Sequence, residues 1–177
     1  MQHQNDALVP GSRIVHLCGE VDEDLTRKVI NGLYALNVQE SSCPIDLLIT
    51  SGGGGLLEAQ AIADAIADIA TRFTVNGYVR GQAMSAAMYP LLACTKRFAT
   101  RSSVLMVHGF TDGVQGDMRH VEVTQAINQK LVLEGARMFA LRTGKPESYW
   151  LPILRDHLPR YYMAEEAVEE GLIDDIV

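Results

Sequence analysis

Three short segments of this 177-residue chain carry residue types that could together catalyse acyl transfer. Ser85 has the small residues Ala83 and Ala87 two positions away on either side, as a sharp strand-to-helix turn requires if it is to expose the serine hydroxyl group as a nucleophile. His108 follows the apolar run 104–107 and precedes a glycine, and an imidazole at a strand end could take the proton from a serine. The glycine run 52–55 offers backbone N–H groups that could stabilise an oxyanion. A nucleophile, a base and an oxyanion hole are the parts of a serine hydrolase site.

Each of these segments also has a plain structural interpretation. The glycine run matches neither the Walker A pattern nor the dinucleotide-binding fingerprint, and it could form a tight turn without a ligand. Serine is a common helix N-cap, and Ser85 in isolation fits that role better than that of a nucleophile. A single histidine is more often structural than catalytic, and His157, next to Asp156, competes with His108 as a base. The three features weigh more together than separately, so acyl transfer is the chemistry that we expect.

The elements that would position these residues alternate between strands and helices. The hydrophobic pattern predicts strands over 14–18, 45–50, 73–79, 104–107 and 172–177. It predicts a first helix capped by Asp22 or Asp24, a second with Ile62, Ile66 and Ile69 on one face, and further helices over 85–94, 117–141 and 164–170. We expect the glycine run to break the chain after the second strand, and Gly81 to end the third. This alternation indicates an α/β fold with a largely parallel sheet.

Composition and charge exclude several classes of protein. Hydrophobic residues make up 47% of the chain and charged residues 21%, which is typical of a globular domain. The net charge of −7 argues against a nucleic-acid partner, and no apolar stretch is long enough to span a membrane. There is no secretory signal pattern and no CxxC pair, so we expect a cytoplasmic protein without a disulfide framework or zinc site. We expect one domain over 1–177, with 1–12 as a flexible N-terminal segment, no metal or organic cofactor, and Cys18 and Cys94 in the core.

Four motifs in the right order make the chain resemble the proteolytic subunit of the ATP-dependent Clp protease, the ClpP family. The family's Asn-Ser-Pro-Gly-Gly-Ser pattern after a strand is met by residues 49–55, and its Gly-Gln-Ala-Ala-Ser-Met-Gly motif by residues 81–87. Its Met-Ile-His-Gln-Pro motif is met by residues 106–110, although glycine and phenylalanine stand where the family has Gln-Pro. Its C-terminal motif, Ser-Ala-Glu-Glu-Ala followed by Gly-Leu-Ile-Asp, is met by residues 163–167 and 171–174. The resemblance runs from about Arg13 to Val177.

The resemblance implies a fold and a set of site residues. The fold is the ClpP/crotonase-like α/β spiral of ββα units with a protruding handle helix, to which the predicted helix 117–141 corresponds. Ser85 is then the nucleophile of a serine endopeptidase, and His108 is the general base. The backbone N–H groups of Gly53 or Gly54 and of Ala86 would form the oxyanion hole.

The resemblance also implies an assembly and its partners. Members of the family form homo-oligomers of two stacked heptameric rings, which enclose the active sites in a chamber. A partner AAA+ unfoldase threads unfolded polypeptide substrates into that chamber. We therefore expect a homo-oligomer that acts on peptides or unfolded proteins.

The third member of the catalytic triad is where the chain departs from the family pattern. An alignment without gaps from Ala164 backwards places the family's aspartate position on Pro159. The nearest Arg-Asp pair is Arg155-Asp156, which fits only with a small insertion over about 157–160. We favour Asp156 because loop insertions are well tolerated. The alternative is a site without a carboxylate, in which His157 or a backbone carbonyl orients His108.

Two other functions compete with the peptidase. A catalytically weak or silent ring subunit would keep the fold, and it gains support if the Asp156 carboxylate lies away from His108. A crotonase-like acyl-CoA enzyme would share the fold and an oxyanion hole, but it would have no use for a Ser–His pair.

Overall fold

The computed structural model of the chain describes residues 7–8, 12–39, 42–109 and 118–177, with side chains in the helix that begins at Met118 described from residue 125 onward. These residues form two compact units. The first unit takes the described residues within 1–106 and 162–177, and the second takes those within 107–161. The prediction of a single domain over 1–177 stays a prediction.

Seven strands form one sheet in the described part of the chain. They are β1 (Ile14–Val21), β2 (Ile45–Gly54), β3 (Val75–Met84), β4 (Lys96–Ala99), β5 (Val104–Val107), β6 (Arg160–Met163) and β7 (Asp175–Ile176). The sheet has the order β1-β2-β3-β4-β7, while β5 pairs with β3 and β6 pairs with β5. Every pair whose register is defined is parallel, which confirms the predicted α/β class.

Six α-helices and one short 3₁₀ helix accompany the strands in the described residues. The α-helices are α1 (Glu23–Asn37), α2 (Leu56–Ile69), α3 (Met88–Ala93), α4 (Met118–Thr143), α5 (Glu147–Arg155) and α6 (Ala164–Glu169), and the 3₁₀ helix covers Ser85–Ala87. The sequence analysis predicts neither the helix α5 nor the strands β4 and β6. No helix among the described residues is both long enough and apolar enough to cross a membrane.

The core of the first unit lies where α1 and α2 cover the sheet. Fully buried side chains come from alternate positions of β1 and β2 and from one face of each helix: Val15, Leu17, Leu47, Ile49, Val29, Leu33, Ile62, Ile66 and Ile69. Each such side chain contributes about 1.5–3 kcal/mol through burial. The start of α1 is fixed by Asp22, whose carboxylate accepts the Leu25 N–H at 2.8 Å. Asp22, rather than Asp24, is therefore the cap.

Three predictions for the strands of the first unit are wrong: where β2 ends, where β3 ends, and the burial of Cys18. The glycine run does not break the chain, because β2 continues through Gly54, and Gly81 does not end β3, which continues to Met84. Gly53, Gly54 and Gly81 have φ angles of 102°, 145° and 85°, so glycine lets the strands bend without ending them. Cys18 is exposed rather than in the core, while Cys94 is buried as expected.

The strand β3 changes its neighbour along its length. Its first half pairs with β4, from Asn76 to Val79, and its last three residues pair with β5, from Gln82 to Met84. Gly81 lies between the two halves and adopts a φ angle that other residues rarely adopt. As a result, β3 and β5 run side by side toward the position of Ser85.

The second unit is built around α4 and α5. Phe139 and Trp150 are both buried with their ring centroids 4.8 Å apart, and the Trp150 indole N–H donates to the Thr143 hydroxyl at 2.9 Å. The helix α4 confirms the predicted helix 117–141 except at Asp117, which lies outside the described residues. Ala126 and Ile127 are exposed, and Val132 is the first buried residue among the side chains of this helix that are described.

Of the N-terminal segment 1–12, the structure describes three residues. Ala7 is buried, and its carbonyl accepts the His16 N–H at 2.6 Å. Leu8 forms an isolated antiparallel bridge with Val15. The rest of the segment that is predicted to be flexible lies outside the described residues.

We predict that one ion pair in the first unit holds the C-terminal strand to the sheet. The Arg97 side chain is only 6% exposed, and it donates to the Asp174 carboxylate and, at 2.8 Å, to the Gly171 carbonyl. Asp174→Ala removes the carboxylate and leaves this guanidinium with the Gly171 carbonyl, so the free energy of unfolding should fall by about 2 kcal/mol in chemical denaturation, a value reduced for the partial exposure of the carboxylate. Glu165→Ala breaks the exposed pair with Arg101 and should cost less than about 1 kcal/mol. Equal losses in the two variants would contradict this role for Arg97.

Candidate active site

Ser85 lies at a strained turn. It follows the last residue of β3 and opens the 3₁₀ helix that leads into α3. Its φ angle is +53°, and no other non-glycine residue among those described has a positive φ angle. A left-handed conformation costs a residue with a Cβ about 1–2 kcal/mol, so the surrounding structure must enforce it. The buried residues Ala86, Ala87 and Met88 anchor the chain directly after the turn.

The structure does not support the N-cap interpretation of Ser85. The N-cap position of the 3₁₀ helix belongs to Met84, and no side chain caps this helix. The next helix, α3, has its N-cap at Ala87, again without a side-chain hydrogen bond. Ser85 is half-buried, and its hydroxyl group caps neither helix. Capping therefore does not explain why Ser85 adopts a left-handed conformation.

The glycine run packs directly against this turn. A Cβ at Gly53 would lie 2.8 Å from both the Met84 carbonyl oxygen and the Ser85 Cβ, and 3.2 Å from the Ala86 nitrogen. A Cβ at Gly54 would collide with the Val21 backbone. The structure therefore brings the glycine run, Ser85 and the Ala86 N–H together, and only glycine permits so close an approach.

A buried serine that sequence analysis did not single out shapes the glycine run. Ser51 is fully buried, and its hydroxyl oxygen accepts the Gly53 N–H at 3.1 Å. The Gly53 N–H therefore already has a partner in this conformation. The position of Ser51 before the glycines was the available signal, since serine side chains commonly bond to the backbone two residues on.

His108 belongs to the second unit and directly follows β5. The imidazole is half-buried, and its Nδ1 lies 2.5 Å from the Gly109 carbonyl oxygen. Gly109 is buried, and its N–H donates to the Asp156 carbonyl oxygen at 2.7 Å. A Cβ at Gly109 would lie 2.7 Å from the Leu154 carbonyl oxygen, so glycine is required here as well.

Asp156 contacts Gly109, the residue after His108, through its main-chain oxygen. It is the C-cap of α5 and is exposed. Its carboxylate accepts the Leu158 N–H at 3.1 Å, while its main-chain oxygen accepts the Gly109 N–H. The exposed residues His157 and Pro159 follow in the same loop. The assignment of Asp156 as the third triad member stays a prediction.

A strand pairing within the first unit ends directly before Ser85. Met84, the residue before Ser85, pairs with Met106, two residues before His108. The two strands are parallel, so Met84 and Met106 lie side by side toward the carboxyl ends of their strands. That edge is where α/β folds place ligands and catalytic groups.

The described residues hold no group of three or more His, Cys, Asp or Glu side chains arranged to bind a metal ion. What the residues around Ser85 offer is a hydroxyl group on a strained turn, beside closely packed backbone N–H groups. This arrangement suits nucleophilic attack on a carbonyl carbon and stabilisation of the resulting oxyanion.

A comparison with protein-family models assigns the chain to a class of enzyme. The Clp protease model matches residues 4–177, which is nearly the whole sequence. The chain therefore belongs to the Clp protease family, as the four motifs predict, and it is at family level a ClpP-type peptidase with the ClpP fold.

We predict that the close packing of Gly53 is necessary for activity. In Gly53→Ala the new Cβ must push the Ser85 turn away, and a displacement of about 1 Å can cost about 100-fold in rate, so kcat/KM for a short peptide should fall by about that factor. Gly52→Ala is the matched control, because its Cβ would meet nothing nearer than the Gln82 side chain at 3.7 Å. Activity of Gly53→Ala within threefold of the native value would contradict the packing argument.

Proposed function

We propose that the chain is a serine endopeptidase of ClpP type that hydrolyses peptide bonds of unfolded polypeptides inside an oligomeric chamber. The observation that carries this proposal is the left-handed conformation of Ser85 in a chain of the Clp protease family. A strained turn persists where the surrounding structure enforces it, and such turns cluster at active sites. The turn presents a serine hydroxyl group in the manner of a nucleophile elbow.

The mechanism follows from the residues at the turn. The Ser85 hydroxyl oxygen attacks the peptide carbonyl carbon, and His108 Nε2 accepts the hydroxyl proton. His108 then gives the proton to the leaving amine, and a water molecule activated by the same imidazole hydrolyses the acyl-enzyme. The reaction needs no metal ion or organic cofactor.

The oxyanion hole is proposed to use the N–H groups of Ala86 and of the glycine run. Since the Gly53 N–H already donates to Ser51, Gly54 is the better candidate for the second donor. Gly53 then serves by its close packing against Ser85. Two donors aimed at the developing charge are worth about 10²–10³-fold in rate each.

The assignment of His108 as the base is proposed from the family motif that contains it, at residues 106–110. Met84, the last residue of β3, pairs with Met106 of β5. Ser85 directly follows Met84, and His108 lies two residues after Met106 in the sequence. The register agrees with the motif spacing that suggests the Ser–His pair.

The assembly and partners are proposed from the family. We propose a homo-oligomer of two stacked heptameric rings, a cytoplasmic location and an AAA+ unfoldase that delivers substrates. The exposed apolar residues Ile127 and Leu133 of α4 are consistent with burial in an oligomer. The family assignment favours this peptidase over an acyl-CoA enzyme.

A silent ring subunit is the second candidate, because the Asp156 carboxylate is bonded within its own loop. One experiment separates the two. The purified full chain is sized by analytical ultracentrifugation and then incubated with short fluorogenic peptides without ATP. Cleavage by the assembled particle supports the peptidase, whereas an assembled and folded particle that cleaves no peptide supports the silent subunit.

A further inference from the structure

We infer that His108 is oriented by the main-chain carbonyl of Gly109, and that Asp156 acts through its main-chain oxygen rather than its carboxylate. The inference deepens the proposed function and rests on it for its catalytic meaning. It concerns only residues of the second unit, so its geometry is independent of the serine turn. Its consequence is a Ser–His dyad in a chain whose family pattern contains an aspartate.

The Gly109 carbonyl determines the tautomer of the imidazole. A carbonyl oxygen can only accept a hydrogen bond, so at 2.5 Å His108 Nδ1 must carry the proton and donate it. The Nε2 atom of that tautomer is left with its lone pair, which a general base requires. The triad aspartate serves the same purpose in serine proteases, where it holds the proton on Nδ1.

The loop after α5 keeps this carbonyl in place. The Gly109 N–H donates to the Asp156 carbonyl oxygen at 2.7 Å, and Gly109 is packed so closely that a Cβ would meet the main-chain oxygens of Leu154 and Asp156 at 2.7 and 2.8 Å. These contacts come from the backbone of residues 154–156. They do not depend on the side chain at position 156.

The Asp156 carboxylate has a different task. It is exposed, and it accepts the Leu158 N–H at 3.1 Å, which closes the turn after α5. An asparagine has the same shape and can accept the same N–H through its side-chain oxygen. Asp156→Asn should therefore preserve the loop, the Gly109 hydrogen bond and the His108 tautomer.

The two roles of Asp156 make opposite predictions for Asp156→Asn. If the carboxylate held His108, the substitution would favour the wrong tautomer and lower the rate by about 10⁴-fold, as in the serine-protease template. With the Gly109 carbonyl as the acceptor, the rate should change by less than about threefold. The carbonyl carries no negative charge, so the dyad stabilises the imidazolium less than a triad does.

The test combines two readouts on the full-length particle. The first is the rate at which a fluorophosphonate labels the protein, native and Asp156→Asn. The second is magic-angle-spinning NMR of protein labelled with ¹³C,¹⁵N-histidine, which distinguishes Nδ1–H from Nε2–H imidazoles, with His108 assigned by its loss in His108→Ala.

We expect labelling rates within threefold of each other and an Nδ1–H tautomer of His108 in both proteins. A fall in labelling of more than tenfold in Asp156→Asn, or a change of His108 to the Nε2–H tautomer, would overturn the inference. If the native protein is not labelled at all, the proposed peptidase function fails, and the NMR readout alone then decides how His108 is held.

Discussion

Ser85→Ala is expected to abolish peptide hydrolysis while the chain stays folded and assembled. The substitution removes the attacking oxygen, and in serine proteases the loss of the nucleophile costs about 10⁶-fold in kcat. A fall of at least about 10⁴-fold is therefore the expected result in an assay with a short fluorogenic peptide. The fold should persist because the hydroxyl group caps neither the 3₁₀ helix nor α3.

The strain at Ser85 supplies an internal control for this prediction. Ser85→Gly also removes the nucleophile, but glycine adopts a φ angle near +53° without the penalty of a Cβ. We expect Ser85→Gly to be more stable than Ser85→Ala by about 1 kcal/mol in chemical denaturation. A gain in stability with a complete loss of activity would identify the strain as a cost that the active site imposes on the fold.

Ser102→Ala is the matched control for the loss of a serine hydroxyl group. Ser102 is exposed in the turn between β4 and β5. Its substitution should leave kcat/KM within twofold of the native value. Hydrolysis retained by Ser85→Ala at more than one-tenth of the native rate would remove Ser85 from the mechanism.

His108→Ala has the second largest expected effect. Without the imidazole, no base takes the proton of the attacking hydroxyl group, and general base catalysis contributes about 10²–10⁴-fold. Because the same imidazole acts in both acylation and deacylation, we expect kcat/KM to fall by about 10³-fold or more. Circular dichroism and sedimentation should be unchanged.

His157→Ala is the matched control, because His157 is the rival base in the sequence and is exposed in the loop after α5. Its substitution should change kcat/KM by less than twofold. The reverse result, with His157→Ala inactive and His108→Ala active, would transfer the role of the base to His157 and contradict the site proposed here.

Much of the fold could be predicted because the apolar runs are local and strong. The strands that begin at Ile14, Ile45 and Val104 follow from β-branched segments, and Asp22 is a common kind of helix cap. The strand β4 was missed because its four residues include Lys96 and Arg97, and Arg97 finds its partner in Asp174, far along the chain. Sequence alone gives no sign of such a distant partner.

The glycines show why the ends of β2 and β3 could not be predicted. Glycine usually marks a turn, yet Gly53 and Gly54 remain in the β2 ladder and Gly81 remains within β3. Glycine is needed at these positions because another segment of the backbone approaches closely or because the strand bends. Both causes depend on the tertiary structure. The helix α5 is not predicted because it contains Pro152, and proline inside a helix usually kinks or breaks it.

Part of the candidate site, like part of the fold, can be predicted from the sequence, and the rest depends on tertiary contacts. The residue types and spacing select Ser85 and His108 as candidates, and their roles stay predictions. The strain at Ser85 and the bond from Gly53 to Ser51 depend on coordinates, because both arise from contacts between separate segments. The role of Asp156 does not follow from the sequence, since Arg155-Asp156 fits the family pattern only with an insertion over about 157–160.

The central claim is that Ser85 is an activated nucleophile, and covalent labelling tests it most directly. The folded full-length protein is incubated with a fluorophosphonate, its intact mass is measured, and the adduct is located by proteolysis and tandem mass spectrometry. We predict one adduct per chain, located on Ser85 and absent from Ser85→Ala. A folded, assembled particle that acquires no adduct, or that carries it on another residue, would contradict the claim.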